Sequence, residues 1–331
     1  MPTPESAPSQ PACIDVRCSD DIHEQAELLD TWHQEYCQIS SGQFDGSVCS
    51  IRGAGIRLFV ERMNRAVFQK GDVGSQKLAL GIPLKLSGQA MLCGEASCLH
   101  GLHVFSGPSG FEYLSPENLL FVGLEISLPN ARSSGDEKLL IREIQSTLQN
   151  GHRVIPLPRS RADGFRTSLC AVIDGLKTNP KSLNDPKSLG ALKRAAAGAV
   201  LELLSQNEVQ LGSRGAIASN WQIASQARKL VEDSPDCPMS VAELALRLGV
   251  SRRTIQYACQ SSLGIKPSSY LRAVRLNGVR RELRNARSVT EAATRWGFWH
   301  FGNFARDYRA MFGGLPSHTL RRVNSEYPAS G

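Results

Sequence analysis

The residues best equipped for chemistry in this 331-residue chain lie in its last third, and the chemistry they suit is hydrogen bonding to base edges. The segment SRRTIQYACQSSL holds Arg252, Arg253, Thr254, Gln256, Tyr257 and Gln260. A second segment, HFGNFARDYRAMF, holds His300, Asn303, Arg306 and Arg309. An arginine fork matches guanine O6 and N7, Gln and Asn match adenine, and Thr offers a methyl group to thymine. Each of these side chains suits a solvated surface equally well, and many contacts to a duplex go to its backbone. Their meaning therefore depends on the elements that carry them.

Those elements are readable. A helix at 221–231 turns Ile223, Ala227, Leu230 and Val231 inward. Ser240 begins the next helix as N-cap, with Glu243 three residues on, the capping-box spacing. Val241, Leu244, Ala245 and Leu248 form its buried face. Gly249 suits a left-handed turn and Val250 plugs it. Ser251 then caps a helix of which only Ile255, Cys259 and Leu263 need face a core. Helix, glycine turn and polar helix make a helix-turn-helix, whose second helix enters the major groove. The pattern recurs. Pro267 and Ser268 start a long connecting helix bearing Arg272, Arg275, Arg280, Arg281 and Arg284. Ser288 and Glu291 give a second capping-box spacing, Val289, Ala292, Ala293 and Trp296 a buried stripe, and Gly297 a turn. The last helix, at about 300–312, is expected to bury Phe301, Phe304, Tyr308 and Phe312.

Charge agrees with this placement. Residues 211–331 carry 18 Lys and Arg against 8 Asp and Glu, whereas residues 1–210 carry 20 against 23. The chain's net charge of +7 thus belongs to its C-terminal third, which invites a polyanion there. No apolar run approaches the ~20 residues that span a bilayer, so no membrane partner is expected. Nine cysteines, none spaced CxxC, and an N-terminus without the features of a secretory signal read as a reduced, cytoplasmic protein.

The N-terminal region has another texture. Residues 1–19 read as a tail and 20–40 as a short helix containing Ala26, Leu28, Leu29, Trp32 and Tyr36. Apolar runs at 56–60, 66–68, 78–80, 89–92, 102–105 and 119–126 alternate with Gly, Pro and Ser, the pattern of a β-sandwich or barrel. Helices follow at 137–149 and around Phe165–Leu176, then a loop at 178–187. In the helix at 188–206, Leu189, Leu192, Ala196, Ala199 and Leu203 make a stripe. It suits either a homodimer seam or packing on the chain's own β-domain, with the seam slightly favoured.

The stretch 221–322 resembles the AraC/XylS-type DNA-binding domain. The resemblance rests on SVAELALRLGVSRRTIQ, on LGIKPSSYLRAVRLNGVRREL, and on Gly297, Phe298, Phe304, Arg306, Tyr308, Gly313 and Pro316 in GFWHFGNFARDYRAMFGGLP. It implies seven helices forming two helix-turn-helix units on a central helix, recognition helices starting at Ser251 and His300, and a DNA-facing role for Arg275. Cys259 departs from the pattern, standing where the family places a bulky aromatic. The run GQFDGSVCSIRGAGIRLFVERMNRAVF is similar to sensor domains of the ethanolamine-operon group, which implies a cupin-like effector domain. The expected fold is therefore α+β in two domains: a tail at 1–19, a β-rich effector and dimerisation domain with flanking helices at 20–205, a linker at 206–219, an all-α double helix-turn-helix domain at 220–323, and a tail at 324–331. The expected partners are double-stranded operator DNA, RNA polymerase, a small-molecule effector and a second copy through 188–206; the expected function is an effector-responsive activator.

Other constellations carry less. Cys93, Cys98, His100 and His103 are close, but their spacing matches no zinc module and alternating strands would scatter them. Gly101–Gly110 lacks a Walker lysine and a GxGxxG pattern, and no GxSxG, HExxH or paired carboxylate cluster appears. No catalytic or metal residue is assigned; the alternative function is a cupin-type enzyme with an accessory basic tail. Trp32, Trp221, Trp296 and Trp299 read as packing residues, Trp299 being the one placed in a turn before a recognition helix.

Overall fold

The structure, a computed structural model, describes residues 12–53, 55–106, 110–129, 133, 135–148, 152–205 and 215–326. The first elements are β1 (Cys13–Ser19), α1 (Ile22–Glu27), β2 (His33–Gln38), β3 (Gly46–Gly53), β4 (Ile56–Met63), β5 (Val67–Asp72) and β6 (Lys77–Lys85). Then come β7 (Met91–Leu92), β8 (Glu95–Ala96), β9 (Gly101–Val104), β10 (Phe111–Ser115), β11 (Leu119–Ser127), α2 (Gly135–Leu148) and β12 (Val154–Pro156). The chain continues through α3 (Arg159–Thr178), a 3-10 turn at Pro180–Asn184, and α4 (Pro186–Ser205). The last part is helical: α5 (Gly215–Glu232), α6 (Val241–Leu248), α7 (Arg252–Leu263), α8 (Pro267–Glu282), α9 (Val289–Arg295), α10 (Phe301–Phe312) and α11 (Pro316–Glu326).

The strands form a seven-stranded sheet, β1-β3-β4-β11-β6-β9-β12, and a five-stranded sheet, β2-β5-β10-β7-β8. Side-chain alternation assigns each sheet two cores. In the larger sheet, Ile56, Leu58, Leu80, Ile82, Val122 and Leu124 pack with α3 and α4, while Phe59, Met63, Ala79 and Phe121 face the core shared with the smaller sheet. In the smaller sheet, Tyr36, Val67, Leu92 and Tyr113 join that same inner core. Their neighbours Cys37, Phe68, Met91 and Leu114 instead join the core of the C-terminal helices. Both sheets are therefore covered on both faces, which explains why their apolar runs are nearly continuous.

The inner core is filled by rings. Trp32 meets Phe59, Phe105 and Phe111 at centroid distances of 5.6, 5.5 and 5.7 Å, and Phe105 meets Phe121 at 5.6 Å. Polar groups inside are held individually. His103 Nδ1 donates to the Gly101 carbonyl at 3.0 Å, so Nε2 accepts from the Ser97 hydroxyl at 2.6 Å. Glu61 accepts from Gln25 Nε2 at 3.0 Å and from the Tyr36 hydroxyl at 3.1 Å.

Several expectations are corrected. Residues 13–19, read as tail, form β1 against β3; the rest of that tail, 1–11, lies outside the described residues. The helix expected over 20–40 ends at Glu27, and 33–38 is strand β2, whose polar side chains find partners on β5 and in the helical domain. In α4, Leu189 and Leu203 are buried in the chain's own core beside Ala197 and Val200, while Ala199 is exposed. The stripe thus packs on its own domain, because its buried face is an ordinary helical one rather than an a/d seam. Of the linker expected at 206–219, residues 206–214 lie outside the described residues and 215–219 belong to α5.

Burial pushes the Glu61 carboxyl up to about 7, against hydrogen bonds from Gln25 and Tyr36 that pull it down. Between its ordinary value near 4.5 and 7, the folded chain holds a proton that the unfolded chain has released, so this group lowers stability as pH rises through that window. Glu61→Gln keeps the acceptor oxygen and removes the ionisation. Relative to wild type, it is expected to gain up to about 3 kcal/mol at pH 8 and little at pH 4, read from unfolding free energies at the two pH values.

Candidate nucleic-acid interface

Helices α5, α6 and α7 pack together on one side of α8, and α9, α10 and α11 on the other. In the first unit the Ser240 hydroxyl accepts from the Glu243 N–H at 3.3 Å, and Glu243 accepts from the Ser240 N–H at 2.7 Å, closing the capping box. Gly249 is left-handed, with φ 65°. The Ser251 hydroxyl then caps α7 through the Thr254 N–H at 3.0 Å. Ile255, Ala258, Cys259, Ser262 and Leu263 are buried, so Cys259 fills its core place as a small apolar group, its thiol pushed up to about 12 by burial. Arg252, Arg253, Gln256, Tyr257 and Gln260 are exposed, and Thr254 is half-buried. Arg253 Nη2 donates to the Tyr257 hydroxyl at 2.9 Å with its guanidinium 5.3 Å from the ring centre, which preorders the pair.

The second unit is built the same way with different fittings. The Ser288 hydroxyl accepts from the Glu291 N–H at 3.1 Å, but Glu291 accepts from the Arg287 N–H instead of completing the box. Gly297 is left-handed at φ 78°, and a Cβ there would lie 2.4 Å from Pro238 Cβ. His300 is the N-cap of α10 with no side-chain cap bond, and His300, Asn303, Arg306 and Arg309 are exposed. Phe304, Tyr308 and Phe312 are buried as expected, with Met311 beside them, but Phe301 is 43% exposed. It sits in the first turn, where the helix has not yet reached the core. Arg275 is half-buried in α8 and donates to the Met239 carbonyl.

The β-domain grips both units at once. Cys37, Phe68, Leu114 and Met91 lie in register across four neighbouring strands and present one apolar row to the helices. Trp221 of α5 stacks on Phe68 at 5.7 Å, and Arg228 lies 4.2 Å over the same ring. Glu112 of β10 accepts from Trp221 Nε1 at 3.0 Å, the Ser225 hydroxyl at 2.7 Å and Arg228 Nη2 at 3.0 Å. Asn277 of α8 exchanges hydrogen bonds with the Gln38 backbone at 2.8 and 2.9 Å, and Gln38 Nε2 reaches the Met311 carbonyl of α10 at 2.6 Å. Asp21 accepts from Arg280 Nε and Nη2 at 2.9 and 2.6 Å, Arg284 reaches Glu27 at 3.2 Å, and Arg322 of α11 reaches Asp20 at 2.6 Å. Sequence reading missed this clamp. The acidic spacing at Asp20, Asp21, Glu24 and Glu27 against Arg280, Arg281 and Arg284 was its one available signal.

Beside the two sheets, an open groove of 2010 Å³ runs between β2, β5, β10 and α5, with Trp32, Lys70, Glu95, Glu112, Arg153 and Trp221 in its walls. Among the described residues no group of three His, Cys, Asp or Glu side chains is arranged to hold a metal ion. No helix among them is long and apolar enough to cross a membrane.

This is the geometry of a double helix-turn-helix domain docked on a β-rich domain. A family profile described as a helix-turn-helix domain matches residues 244–322. The chain is 43% identical over 90 residues to a probable thc operon regulatory protein of Rhodococcus erythropolis, covering 26% of this chain and 27% of that one. It is 34% identical over 125 residues to the XylDLEGF operon transcriptional activator 2 of Pseudomonas putida, covering 37% of this chain and 77% of that one. The chain belongs to the AraC/XylS-type family of helix-turn-helix transcription regulators. Of the first curated relatives it matches, it spans only 27% and 37% of their length. Among solved structures it is similar to a probable AraC family transcriptional regulator from Rhodopseudomonas palustris, at 36% identity over 31% of this chain and 97% of that one, with a TM-score of 0.29. Each of these relatives is named as a regulator or a transcriptional activator.

Burial would raise the Asp21 carboxyl, but the adjoining Arg280 guanidinium outweighs it and holds it well below the usual carboxylate range. Its contribution to stability is therefore full above about pH 4 and is lost as pH falls. Asp21→Asn leaves Arg280 buried without its counter-charge, and is expected to cost about 3–5 kcal/mol at pH 7 and to flatten the acid limb, measured by denaturant unfolding from pH 3 to 7.

Proposed function

We propose that the chain is a one-component, effector-responsive transcription activator that reads two successive major grooves on one face of its operator. The observation that carries this reading is the pair of helices α7 and α10. Each follows a left-handed glycine turn, buries one side in a shared core, and leaves a polar, arginine-bearing side uncovered. In the first groove, Arg252, Arg253, Thr254, Gln256, Tyr257 and Gln260 make the contacts; in the second, His300, Asn303, Arg306 and Arg309 do. Arg275 also faces DNA in this reading, while its bond to the Met239 carbonyl fixes α8 to the loop before α6.

The β-domain is the sensor. Its resemblance to sensors of the ethanolamine-operon group supports this, and so does the groove against α5. A small molecule there lies beside Glu112 and Trp221, the joint between the domains, so its binding shifts the population of DNA-competent forms. Activation through RNA polymerase is supported by relatives that bear the name of transcriptional activators. The chain then works as a monomer or through contacts other than the α4 stripe, which its own core occupies.

The test is enrichment of duplexes from a random-sequence library by the full chain. Arg253→Ala and Gln256→Ala are expected to relax base preference in one half of the enriched site, and Arg306→Ala in the other, each by about 5- to 100-fold in discrimination. Binding should weaken steeply between 50 and 200 mM salt. Uniform weakening by all three variants, with base preference unchanged, would show phosphate anchoring without base reading.

A further inference from the structure

The approach to α10 carries an apolar surface that no part of the fold uses. Among the described residues seven large apolar side chains are left exposed, and three of them, Tyr257, Trp299 and Phe301, lie on or beside the two recognition helices. Trp299 is 63% exposed and Phe301 43%. The turn that holds them is fixed from both sides. Gly297 is wedged against Pro238, the Phe298 N–H donates to the Ala293 carbonyl at 2.9 Å, and the Phe298 ring packs on Phe304 at 5.1 Å. With Phe298 turned inward, Trp299 is forced out. Trp296, three residues earlier, is the contrast: it is buried, donates to Glu282 at 2.7 Å, and lies over Gly278, where a Cβ would be 2.4 Å from its ring.

We propose that Trp299 and Phe301 form an apolar pad that reads thymine methyl groups in the groove entered by α10. This rests on the DNA-binding reading above and assigns it a specificity determinant. The occupant follows from the surroundings. His300, exposed, stands between the two in sequence, and the exposed Asn303, Arg306 and Arg309 continue the same helix with donors suited to bases and phosphates. The major-groove edge of thymine is the one base edge that offers a methyl group, and apolar side chains are its natural contact. The first unit offers a hydrogen-bonded Arg253–Tyr257 pair in place of bare rings, so the two half-sites should differ in composition.

The probe is a duplex enriched by the full chain from a random-sequence library, with thymines in the α10 half replaced one at a time by deoxyuridine, which removes only the methyl group. Wild type is expected to lose about fourfold in affinity at one or two positions, the effect of one buried methyl-sized group. Trp299→Ala should weaken binding to the thymine duplex and erase the thymine–deoxyuridine difference, and Phe301→Ala should do so at the second position. Because both rings are exposed, each variant should unfold at the wild-type temperature, and Trp299→Gln controls for loss of bulk. Equal binding of thymine and deoxyuridine duplexes by wild type overturns the pad while leaving sequence-specific binding intact. So does Trp299→Ala that keeps the difference, the result expected if the rings dock on a protein. Absence of any enriched sequence overturns the DNA-binding reading itself.

Discussion

The apolar row Cys37, Phe68, Leu114 and Met91 runs across four strands of the smaller sheet, on the face away from the core between the two sheets. A sheet face of this kind must be covered, and the helical domain covers it. Deleting one such side chain typically costs a few kcal/mol, so the row by itself makes separation of the domains expensive. Around it, carboxylates just before α1 and on β2 and β10 meet guanidinium groups of α5, α8 and α11. Exposed pairs such as Arg281 with Glu35 contribute little, whereas Asp21 with Arg280 is nearly out of water and fixes geometry.

This seam determines what is left for DNA. It takes α5 from the first unit, α8, and the ends of α10 and α11 from the second, so the β-domain acts as a splint across both helix-turn-helix units. It touches α7 and α10 only towards their C-terminal ends, at Ser261 and at Ala310 and Met311, and leaves Arg252, Arg253, Gln256, Tyr257, His300, Asn303 and Arg306 exposed. Charge is divided along the same line. Arg280, Arg281, Arg284 and Arg322 are spent on the β-domain, while Arg252, Arg253, Arg306 and Arg309 remain for a polyanion. The excess of positive charge in the last third is thus smaller in effect than its formal count. Glu112, in the wall of the groove, is also the residue that holds Trp221 and Ser225 of α5, which is why the proposed effector site is placed there.

Sequence reading recovered what local rules control. The Ser240–Glu243 box, the Ser251 cap and the glycines at 249, 297 and 313 were all where backbone chemistry requires them. Most strands after Gly46 were visible because both faces of each sheet are buried. What depends on distant partners was hidden. The segment HQEYCQ became β2 because Cys37 and Tyr36 serve two different cores, a pattern with no apolar alternation to betray it. Arg275, marked for DNA by resemblance, also donates to a carbonyl 36 residues away, a partner that its own neighbourhood in the sequence does not announce. Phe301 fits the spacing of Phe304, Tyr308 and Phe312, yet a first-turn residue overhangs the core to which that spacing assigns it.

The central claim is that two recognition surfaces are held in fixed offset on one rigid frame. Hydroxyl-radical footprinting of the full chain on an enriched duplex tests this most directly. Two protected tracts on one face of the helix, about 34 Å apart, are the expected result. One protected tract, or protection spread evenly around the duplex, would contradict it.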